Sequence, residues 1–384
     1  MSQRFLLAVV CNLLWVSLAG SAVAIPLHAD EVTTQAVSEI LERYRENNDV
    51  PALAAAIVRP GKPTVVAAVG VRKRGDETPV EPADKFHLGS CTKAMTATLI
   101  ARLVEQGKLK WDAPLGELFP DLAEDIAPQL REVTLAHLLA HQSTLEDLEI
   151  GDYWKISADK DLAKQRLEAV RRAVQQKSDK TAGKTFHYAN INYIVAGSAA
   201  EQATGKTWEE LIQTELFDPL KMASAGHGSM ATPGKVDQPW SHRGDGEVVR
   251  PGPYGDNPTV IGPAGRVHCS LEDWAAFVTD QLRGAQGKQG VVQPRSYALL
   301  HTPEFEGSGY TRGGWGTPGT PWGKGLAHDG SNTLNYSTAM LIPEKGLAIL
   351  VVSNQGAPGV DKSGATACQQ ARGALLKLAL GLKD

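Results

Sequence analysis

The sequence predicts an α+β fold in which one antiparallel sheet, flanked by helices, is built from both ends of the chain, with a mostly helical region inserted. Apolar strand patterns occur near both ends, at Ala52–Val58, Thr64–Val71, Ser337–Ile342 and Leu347–Val352. Helical periodicity fills the middle. Because strands near both termini must bury a face together, we expect a single domain over residues 25–384. Its sheet part would comprise about 25–89 and 260–384, and its helical part about 90–259.

The amino-terminal and central elements follow from apolar spacing. Residues 31–48 carry an amphipathic helical stripe, and the two strands after it are joined by a Pro60-Gly61 turn. A second helix runs from Ala94 to Glu105, with Gly107 as its expected carboxyl-terminal cap. Further helical patterns occupy Thr134–His141, Lys160–Gln176, Ile191–Thr204 and Trp208–Phe217.

The last third begins with the least regular stretch, Ala231–Gly265, whose glycines and prolines predict a long loop at a functional rim. Ser270 then begins a helix as its N-cap, with Asp273 three residues later in the manner of a capping box. The turn at Pro343–Gly346 joins the last two strands as a hairpin, and a helix over Ala365–Leu380 closes the chain.

The first 24 residues differ in kind from the rest. Arg4 supplies a positive charge, Phe5–Leu18 is almost wholly apolar, and Ala22-Val23-Ala24 has the small-x-small pattern of a cleavage site. These features are typical of a secretory signal peptide, and the apolar run is shorter than the roughly 20 residues of a spanning helix. We therefore expect cleavage after residue 24 and a periplasmic or secreted protein without stable membrane insertion.

Composition excludes several function classes. A formal net charge of −4 offers no basic face to a nucleic acid, so the expected partner is a small ester, amide or peptide substrate. Oligomeric state has no signal in the sequence. The mature chain keeps Cys91, Cys269 and Cys368, an odd number without zinc spacing. We expect three buried thiols, with a Cys269–Cys368 bridge as the alternative in an oxidising compartment.

Neither a metal nor a cofactor is expected. His137 and His141 have the i, i+4 spacing of helical metal ligands. No glutamate follows His137, so the pair lacks the rest of a known zinc motif.

One serine motif fits acyl transfer, which needs an activated nucleophile, a base and donors for the oxyanion. The G-x-S-x-G elbow is absent, and S-x-x-K occurs twice, at Ser90–Lys93 and at Ser157–Lys160. The second lies in a charged stretch, whereas Ser90 precedes a strongly apolar helix. Ser90 and Lys93 would share a helical face, and burial there would lower the lysine pKa. The plain alternative makes Ser90 a helix N-cap and Lys93 a solvated side chain.

Two further motifs strengthen the interpretation of Ser90 as a catalytic residue. Tyr188 and Asn190 form the only Y-x-N in the chain. A phenol against Ser90 would relay a proton, and the Asn190 amide would hold a substrate amide or the lysine. His328, Gly330 and the following Ser331 lie just before the carboxyl-terminal hairpin, where an extended edge offers backbone N–H groups to a substrate. Local hydrogen bonds at a helix entrance remain the alternative for the Y-x-N residues.

S-x-x-K, Y-x-N and H-x-G, in this order, resemble the serine β-lactamase-like superfamily. That superfamily includes class C β-lactamases, D-alanyl-D-alanine carboxypeptidases and family VIII carboxylesterases. The likeness covers most of the mature chain, and the segments that extend it are 86–90, 134–141, 183–190 and 219–222. The resemblance implies a β-lactamase/transpeptidase-like fold with the active site in a crevice between its two parts.

The resemblance also implies roles. Ser90 would form an acyl-enzyme that water hydrolyses, with Lys93 and Tyr188 as its catalytic partners. The backbone N–H groups of Ser90 and Ser331 would form the oxyanion hole. His328 would lie beside the tyrosine and the polar end of the substrate.

The chain departs from the pattern at two places. Asp329 stands where relatives usually carry Thr or Ser, whose hydroxyl helps to bind a substrate carboxylate. An aspartate facing the crevice would repel that carboxylate, whereas strand alternation would turn it away. His328 replaces the lysine typical of class C β-lactamases. The second departure is Gln142–Leu145, where relatives commonly carry a glycine, and it indicates a changed turn.

These observations predict an exported serine hydrolase that cleaves an ester or amide through a Ser90 acyl-enzyme, with carboxylesterase activity slightly preferred. One alternative is a D-Ala-D-Ala carboxypeptidase or class C-type β-lactamase. It would need Asp329 turned away and another carboxylate site, such as Arg250 or Arg312. The alternative from another class is a non-catalytic wall-binding or sensor protein on the same fold.

Overall fold

The computed structural model describes residues 32–177, 180–305, 308–357 and 360–382, so the predicted signal peptide lies outside the described residues. The α-helices in these ranges are α1 Thr34–Asn47, α2 Thr92–Glu105, α3 Leu115–Leu118, α4 Leu135–Leu139, α5 Ile150–Ile156, α6 Leu162–Val174, α7 Asn190–Thr204, α8 Trp208–Ile212, α9 Asp218–Leu220, α10 Gly262–Gly265, α11 Leu271–Ala285, α12 Pro294–His301 and α13 Gly364–Leu380. The strands are β1 Ala52–Val58, β2 Val65–Gly70, β3 Lys85–His87, β4 Gly226–His227, β5 Ser241–His242, β6 Val248–Val249, β7 Val267–Ser270, β8 Gly319–Thr320, β9 Gly323–Lys324, β10 Leu326–Ser331, β11 Tyr336–Ile342 and β12 Leu347–Ser353.

The central sheet is antiparallel and joins both ends of the chain. Its strand order is β10-β11-β12-β1-β2, and Ala55 pairs with Val351 where β1 meets β12. All seven residues of β1 are buried, because α11 covers one face of the sheet while α1 and α13 cover the other. Alternate residues of β1 enter the two cores, Ala54 on the α11 side and Leu53 on the other. The predicted fold class is confirmed.

The helical region is built around α2 and α7, which pack against each other. Both helices are buried over nearly their whole length, residues 92–101 in α2 and 191–201 in α7. Helices enclosed on all sides carry apolar and small residues on every face, as these sequences do. The two helices therefore fix the position of everything that projects from their amino-terminal ends.

A small sheet, β3-β7-β4, and the turn after β3 connect the helical region to the central sheet. Ser270 caps α11 as predicted and accepts the Asp273 N–H. The other half of the predicted capping box is not made, because the Asp273 carboxylate binds the Ser224 backbone N–H at 2.6 Å. Helices α3, α5, α9, α10 and α12 were not predicted, and α8 ends at Ile212, where a π-helical turn continues to Phe217.

The three cysteines of the described chain are buried free thiols, so the alternative of a Cys269–Cys368 bridge is wrong. None of the helices in the described ranges combines the length and the apolar character needed to span a bilayer.

Candidate active site

Ser90 lies in a single 3-10 turn, Gly89–Cys91, that joins β3 to α2. Two glycines let this turn approach the edge strand β10. A Cβ on Gly89, whose φ is +49°, would lie 2.3 Å from the backbone nitrogen of Ser331. A Cβ on Gly330 would lie 2.9 Å from the backbone nitrogen of Ser90. Since no side chain fits at either position, the backbones of the turn and the strand are in direct contact.

The contact aligns two backbone donors. Ala327 exchanges both backbone hydrogen bonds with Gly316 on the outer edge of β10. Because N–H groups alternate between the two edges along a strand, Ser331, four residues on, directs its N–H to the same outer edge. The N–H of Ser90 lies in the first turn of a helix, where no acceptor within the helix is available. Both donors lie where the turn meets the strand, and two backbone N–H groups at such a junction beside a serine are suited to stabilise an oxyanion.

Lys93 is fully buried one helical turn after Ser90. Its Nζ lies 3.1 Å from Ser90 Oγ, 2.8 Å from Asn190 Oδ1 and 2.9 Å from the backbone oxygen of Ala264. The last two partners are carbonyl oxygens, which only accept hydrogen bonds. Two N–H groups of the amine are thus committed to Asn190 and Ala264, and the third position on nitrogen faces Ser90.

Burial lowers the pKa of Lys93 to about 7, although Asp147 opposes the shift with its negative charge. In the neutral amine the third position is a lone pair, which accepts the proton of the Ser90 hydroxyl. In the ammonium form the same position donates to Ser90 Oγ. Lys93 is therefore a base when neutral and an acid when protonated. Near neutral pH it changes between these two forms without movement of any heavy atom.

Tyr188 and Asn190 reach Ser90 and Lys93 from the entrance of α7. The ring of Tyr188 lies 4.7 Å from Lys93 Nζ, measured to the ring centroid. Burial raises the pKa of the phenol, and a hydrogen-bonding interaction with the Ser90 hydroxyl opposes that rise. Asp147 accepts the Ile191 N–H at 2.7 Å and lies 3.5 Å from the Asn190 amide nitrogen, so the amide oxygen is left to face Lys93.

His328 is buried on β10, and both of its ring nitrogens have partners. Nδ1 lies 2.7 Å from the backbone oxygen of Asp329, so Nδ1 carries the proton. Nε2 then accepts a hydrogen bond from the Tyr310 hydroxyl at 2.9 Å. Burial lowers the pKa of His328 to about 4, helped by the nearby charge of Lys93. The imidazole is neutral, and both of its nitrogens are occupied by hydrogen bonds.

Asp329 points away from the cleft. Its carboxylate accepts hydrogen bonds from Thr338 and from Arg372, the latter at 3.2 Å, on the face of the sheet covered by α13. Strand alternation therefore places His328 and Asp329 on opposite faces of β10. The repulsion of a substrate carboxylate that an inward aspartate would cause does not arise.

A charged cluster lies beneath the Ser90 turn, and we call it the charged support: His87, Asp256 and Arg266. The Gly89 N–H donates to His87 Nδ1 at 3.0 Å, and His87 Nε2 lies 2.6 Å from Asp256. Arg266 donates to the other oxygen of Asp256 at 3.0 Å. Burial raises the pKa of Asp256, but the His87 ring and the Arg266 guanidinium beside its carboxylate outweigh burial and hold the pKa down at about 2.

The opposite side of the cleft is the aromatic wall: His141, Phe186, Tyr188, Tyr193, Tyr310 and His328. Ring centroids within it lie between 4.3 Å, for His141 and Tyr188, and 6.4 Å, for Tyr188 and Tyr310. Lys93 lies 5.6 Å from the Tyr193 ring centroid as well. Lys93 therefore contacts two aromatic rings, and among the described residues its hydrogen-bond partners are a hydroxyl and two carbonyl oxygens rather than a carboxylate.

The structure brings together all seven residues predicted for the site: Ser90, Lys93, Tyr188, Asn190, His328, Gly330 and Ser331. The other S-x-x-K is separate, because Ser157 accepts the Val260 N–H while Lys160 is exposed. His137 accepts the Thr134 N–H as part of a capping box, which gives that histidine a structural role. Among the two proposed carboxylate-binding arginines, Arg312 is paired with Glu304, and Arg250 is exposed in the long loop.

Sequence reasoning missed four contributors. Asp147, Tyr310 and the backbone oxygen of Ala264 lie in loops or short turns without periodicity, so no local pattern marks them. His141 was considered only as a metal ligand. The charged support had one signal: His87 stands three residues before Ser90, although nothing in the sequence links it to Asp256.

The chain is similar to one protein-family model and to several known proteins. A family model described as Beta-lactamase matches residues 37–371. Penicillin-binding protein 4 of Amycolatopsis lactamdurans is 28% identical over 335 residues, covering 83% of this chain and 84% of that protein. The Beta-lactamase of Escherichia coli strain K12 is 25% identical over 277 residues, covering 71% and 66%. Unguisins hydrolase ungD' of Aspergillus campestris is 25% identical over 342 residues, covering 85% of this chain but only 61% of that protein.

Solved structures show the same fold. The octameric penicillin-binding protein homologue from Pyrococcus abyssi superimposes with a TM-score of 0.74 at 21% identity, covering 92% of this chain and 78% of that one. SurE with D-Leu superimposes with a TM-score of 0.72 at 20% identity, covering 91% and 76%.

Proposed function

The chain belongs to the beta-lactamase family, and from this premise we propose that it is an exported serine hydrolase that cleaves an ester or amide through an acyl-enzyme on Ser90. The observation that carries the proposal is the hydrogen bonding of Lys93. Two carbonyl oxygens hold the amine so that its remaining position faces Ser90 Oγ at 3.1 Å. A buried lysine with a pKa near 7 in that geometry is a general base for the serine hydroxyl.

The proposed acylation follows from the contacts. Lys93 takes the proton of Ser90 as Oγ bonds to the substrate carbonyl carbon, and the resulting oxyanion receives the N–H groups of Ser90 and Ser331. Tyr188, beside both groups, passes its proton to the leaving group as the bond to carbon breaks, and it takes in return the proton that Lys93 received from Ser90, so that the amine is neutral again. In deacylation, water attacks the acyl carbon and gives a proton to Lys93, and Lys93 returns that proton to Ser90 Oγ as the acid leaves.

Esters with an uncharged leaving group are the preferred substrates. His328 is neutral, and its two nitrogens are occupied by Tyr310 and the backbone oxygen of Asp329, so it offers no cation to a substrate carboxylate. Arg312 is engaged by Glu304. The orientation of Asp329 removes the other sequence argument for esters, and the preference therefore depends on His328.

A second candidate, a D-Ala-D-Ala carboxypeptidase or β-lactamase, is favoured by one observation. Asp329 turns away from the cleft, as that activity would need. Penicillin-binding protein 4 and the Escherichia coli beta-lactamase are similar to this chain over most of its length. For this reason the test includes a D-Ala-D-Ala peptide and a β-lactam.

Intact-mass spectrometry tests both candidates. The purified protein is incubated with p-nitrophenyl esters, a D-Ala-D-Ala peptide, a β-lactam and a fluorophosphonate. We expect a covalent adduct on Ser90 with the fluorophosphonate and the esters, ester turnover, and no adduct with Ser90→Ala, while Ser157→Ala behaves as wild type. Turnover of the peptide or β-lactam without ester turnover would establish the second candidate. Unchanged turnover of every substrate by Ser90→Ala would overturn the assignment of the nucleophile.

Export is tested separately. We expect the full-length chain, expressed in a bacterial host, to accumulate in the periplasm or medium with a new amino terminus at Ile25. Recovery of the uncleaved chain in the cytoplasm would contradict the proposal of a signal peptide.

A further inference from the structure

His141 lies directly behind Tyr188, in the loop after α4. It is fully buried, and the two ring centroids are 4.3 Å apart with the planes inclined by 35°. The backbone on both sides of Tyr188 is bound to this one residue. The His187 N–H donates to the backbone oxygen of His141 at 2.8 Å, and the Ala189 N–H donates to its Nδ1 at 3.3 Å. His141 therefore holds Tyr188 by its ring and by both neighbouring peptide groups.

The imidazole of His141 is itself fixed. Nδ1 receives the Ala189 N–H and also the amide of Asn192, whose nitrogen lies 3.0 Å away. Ser143 binds the amide oxygen of Asn192, which leaves the amide nitrogen to face His141. Because Nδ1 accepts from two N–H donors, the proton of the neutral ring is on Nε2.

Nε2 is buried and has no hydrogen-bond partner among the described residues. It lies within a shell of rings, with the centroids of Tyr193 and Tyr310 at 5.3 Å and 5.0 Å from that of the imidazole. A buried N–H without a conventional partner is costly, and such groups concentrate where function requires them. The backbone adds to the cost, because His141 has φ of +56°, a left-handed conformation that L-residues rarely adopt.

We propose that His141 is the positioning residue for Tyr188: it clamps the 187–189 backbone and the phenol ring so that the phenol is held against Ser90 and Lys93. The proposal rests on the function proposed above, in which Tyr188 relays the proton to the leaving group. His141 reaches no reacting atom in the structure; it acts through Tyr188. Proton transfer to a leaving group requires the donor side chain to lie within hydrogen-bond distance of it. The rate therefore falls steeply when that donor is displaced, by about 100-fold for a displacement of about 1 Å.

Three substitutions separate the components of the clamp. His141→Ala removes the ring and the Nδ1 acceptor. His141→Asn keeps an acceptor at the position of Nδ1 and tolerates the left-handed backbone, but it removes the stacked ring. His141→Phe keeps a stacked ring and removes the acceptor. His301→Asn is the matched control, because His301 is another histidine with a pKa lowered by burial and its ring binds Gln281, outside the aromatic wall.

Each variant is made in the wild type and in Tyr188→Phe, and three quantities are measured. These are kcat and KM for an alkyl ester, whose alkoxide leaving group needs a proton, the rate of fluorophosphonate labelling of Ser90, and the free energy of unfolding in urea. We expect His141→Ala to lower kcat about 100-fold with KM changed less than about 3-fold. We expect His141→Asn and His141→Phe to fall between it and the wild type, and His301→Asn to retain kcat.

The decisive comparison is the double mutant. If His141 acts through Tyr188, His141→Ala lowers kcat by less than about 3-fold once Tyr188 is phenylalanine. The proposal would be overturned if His141→Ala lowered kcat by the same roughly 100-fold in both backgrounds, or if it left kcat unchanged. In either case, labelling of Ser90 in the wild type would still support the proposed function. If His141→Ala fails to fold, the Asn and Phe cycles with Tyr188→Phe measure the same coupling. A wild type that neither labels at Ser90 nor turns over an ester overturns the proposed function itself.

Discussion

The two sides of the Ser90 turn both contain buried histidines, yet the two sides differ in how they accommodate charge. In the charged support, His87 and Arg266 share the carboxylate of Asp256, which stays ionised. In the aromatic wall, neither His141 nor His328 has a carboxylate partner in the part of the chain that the structure describes, and burial keeps both rings neutral. Burial alone disfavours every charged group, so it does not distinguish the two sides. The difference is that the charged support contains a carboxylate, Asp256.

Lys93 lies on the aromatic side of this contrast. It has two carbonyl acceptors and no carboxylate hydrogen bond, so desolvation prevails and its pKa falls to about 7. A carboxylate in place of either carbonyl would keep the lysine protonated and remove the base. On one side, the ion pair of Asp256 and Arg266 supports the Ser90 turn. On the other side, Lys93 makes no hydrogen bond to a carboxylate among the described residues, and its amine is therefore reactive.

The largest expected effect is on activity. Lys93→Met removes the base while keeping an unbranched side chain of similar length, and we expect kcat for a p-nitrophenyl ester to fall about 10⁴-fold. The wild-type kcat/KM should itself fall as pH drops below about 7, because the protonated amine no longer accepts the serine proton. A steady-state pH profile that is flat between pH 5 and 8, or a Lys93→Met variant within 10-fold of wild type, would show that Lys93 is not the base.

The charged support is expected to govern stability instead. Asp256→Asn leaves Arg266 buried without a counter-charge, at a cost of about 3–5 kcal/mol in the free energy of unfolding. The control is Glu247→Gln, which breaks the exposed ion pair with Arg243 and should cost less than about 0.5 kcal/mol. Urea unfolding measures both, and equal losses would show that the buried carboxylate has no special role.

Acid unfolding should separate the two sides by pH window. The folded pKa of His328 is lowered from 6.5 to about 4, so the unfolded chain binds the extra proton and stability falls as pH drops from about 6.5 toward 4. The folded pKa of Asp256 is lowered from 3.8 to about 2, so its contribution is complete above 3.8 and is lost below it. Each group contributes about 1.4 kcal/mol per pH unit within its window.

Variants test this separation. His328→Gln should reduce the pH dependence of unfolding free energy between 6.5 and 4 and leave the lower window unchanged. Asp256→Asn should do the reverse. If one variant reduced the pH dependence of the free energy of unfolding in both pH windows, the two sides would titrate as one cluster.

The smallest expected effect concerns the loop beneath the aromatic wall. Thr144 is buried with φ of +70°, and its hydroxyl has no hydrogen-bond partner among the described residues. A β-branched residue is strained in this conformation, whereas glycine is not. We expect Thr144→Gly to raise the free energy of unfolding by about 1 kcal/mol with kcat unchanged. A destabilised variant in urea unfolding would show that the threonine side chain packs well enough to outweigh the strain.

The sequence by itself determined the α+β fold class, the strands at both ends, the central helices and the family. Period-2 and period-3.6 apolar patterns are local signals, and they placed β1, β12, α2 and α7 nearly to the residue. Three spaced motifs made Ser90, Lys93 and Tyr188 the candidates for the site, because S-x-x-K, Y-x-N and H-x-G depend only on residue type and order. The helices α3, α5, α9, α10 and α12 were missed because each is short, with eight residues or fewer.

Only the tertiary structure decided the surroundings of those motifs. Strand alternation allowed Asp329 to face either way, and its contact with Arg372, 43 positions later, placed it on the back of the sheet. The pairing of His87 with Asp256 and the two acceptors of Lys93 join residues separated by about 100 positions or more. A pKa depends on every charge and dipole within a few ångströms, and distances in space between remote residues are not written in local sequence.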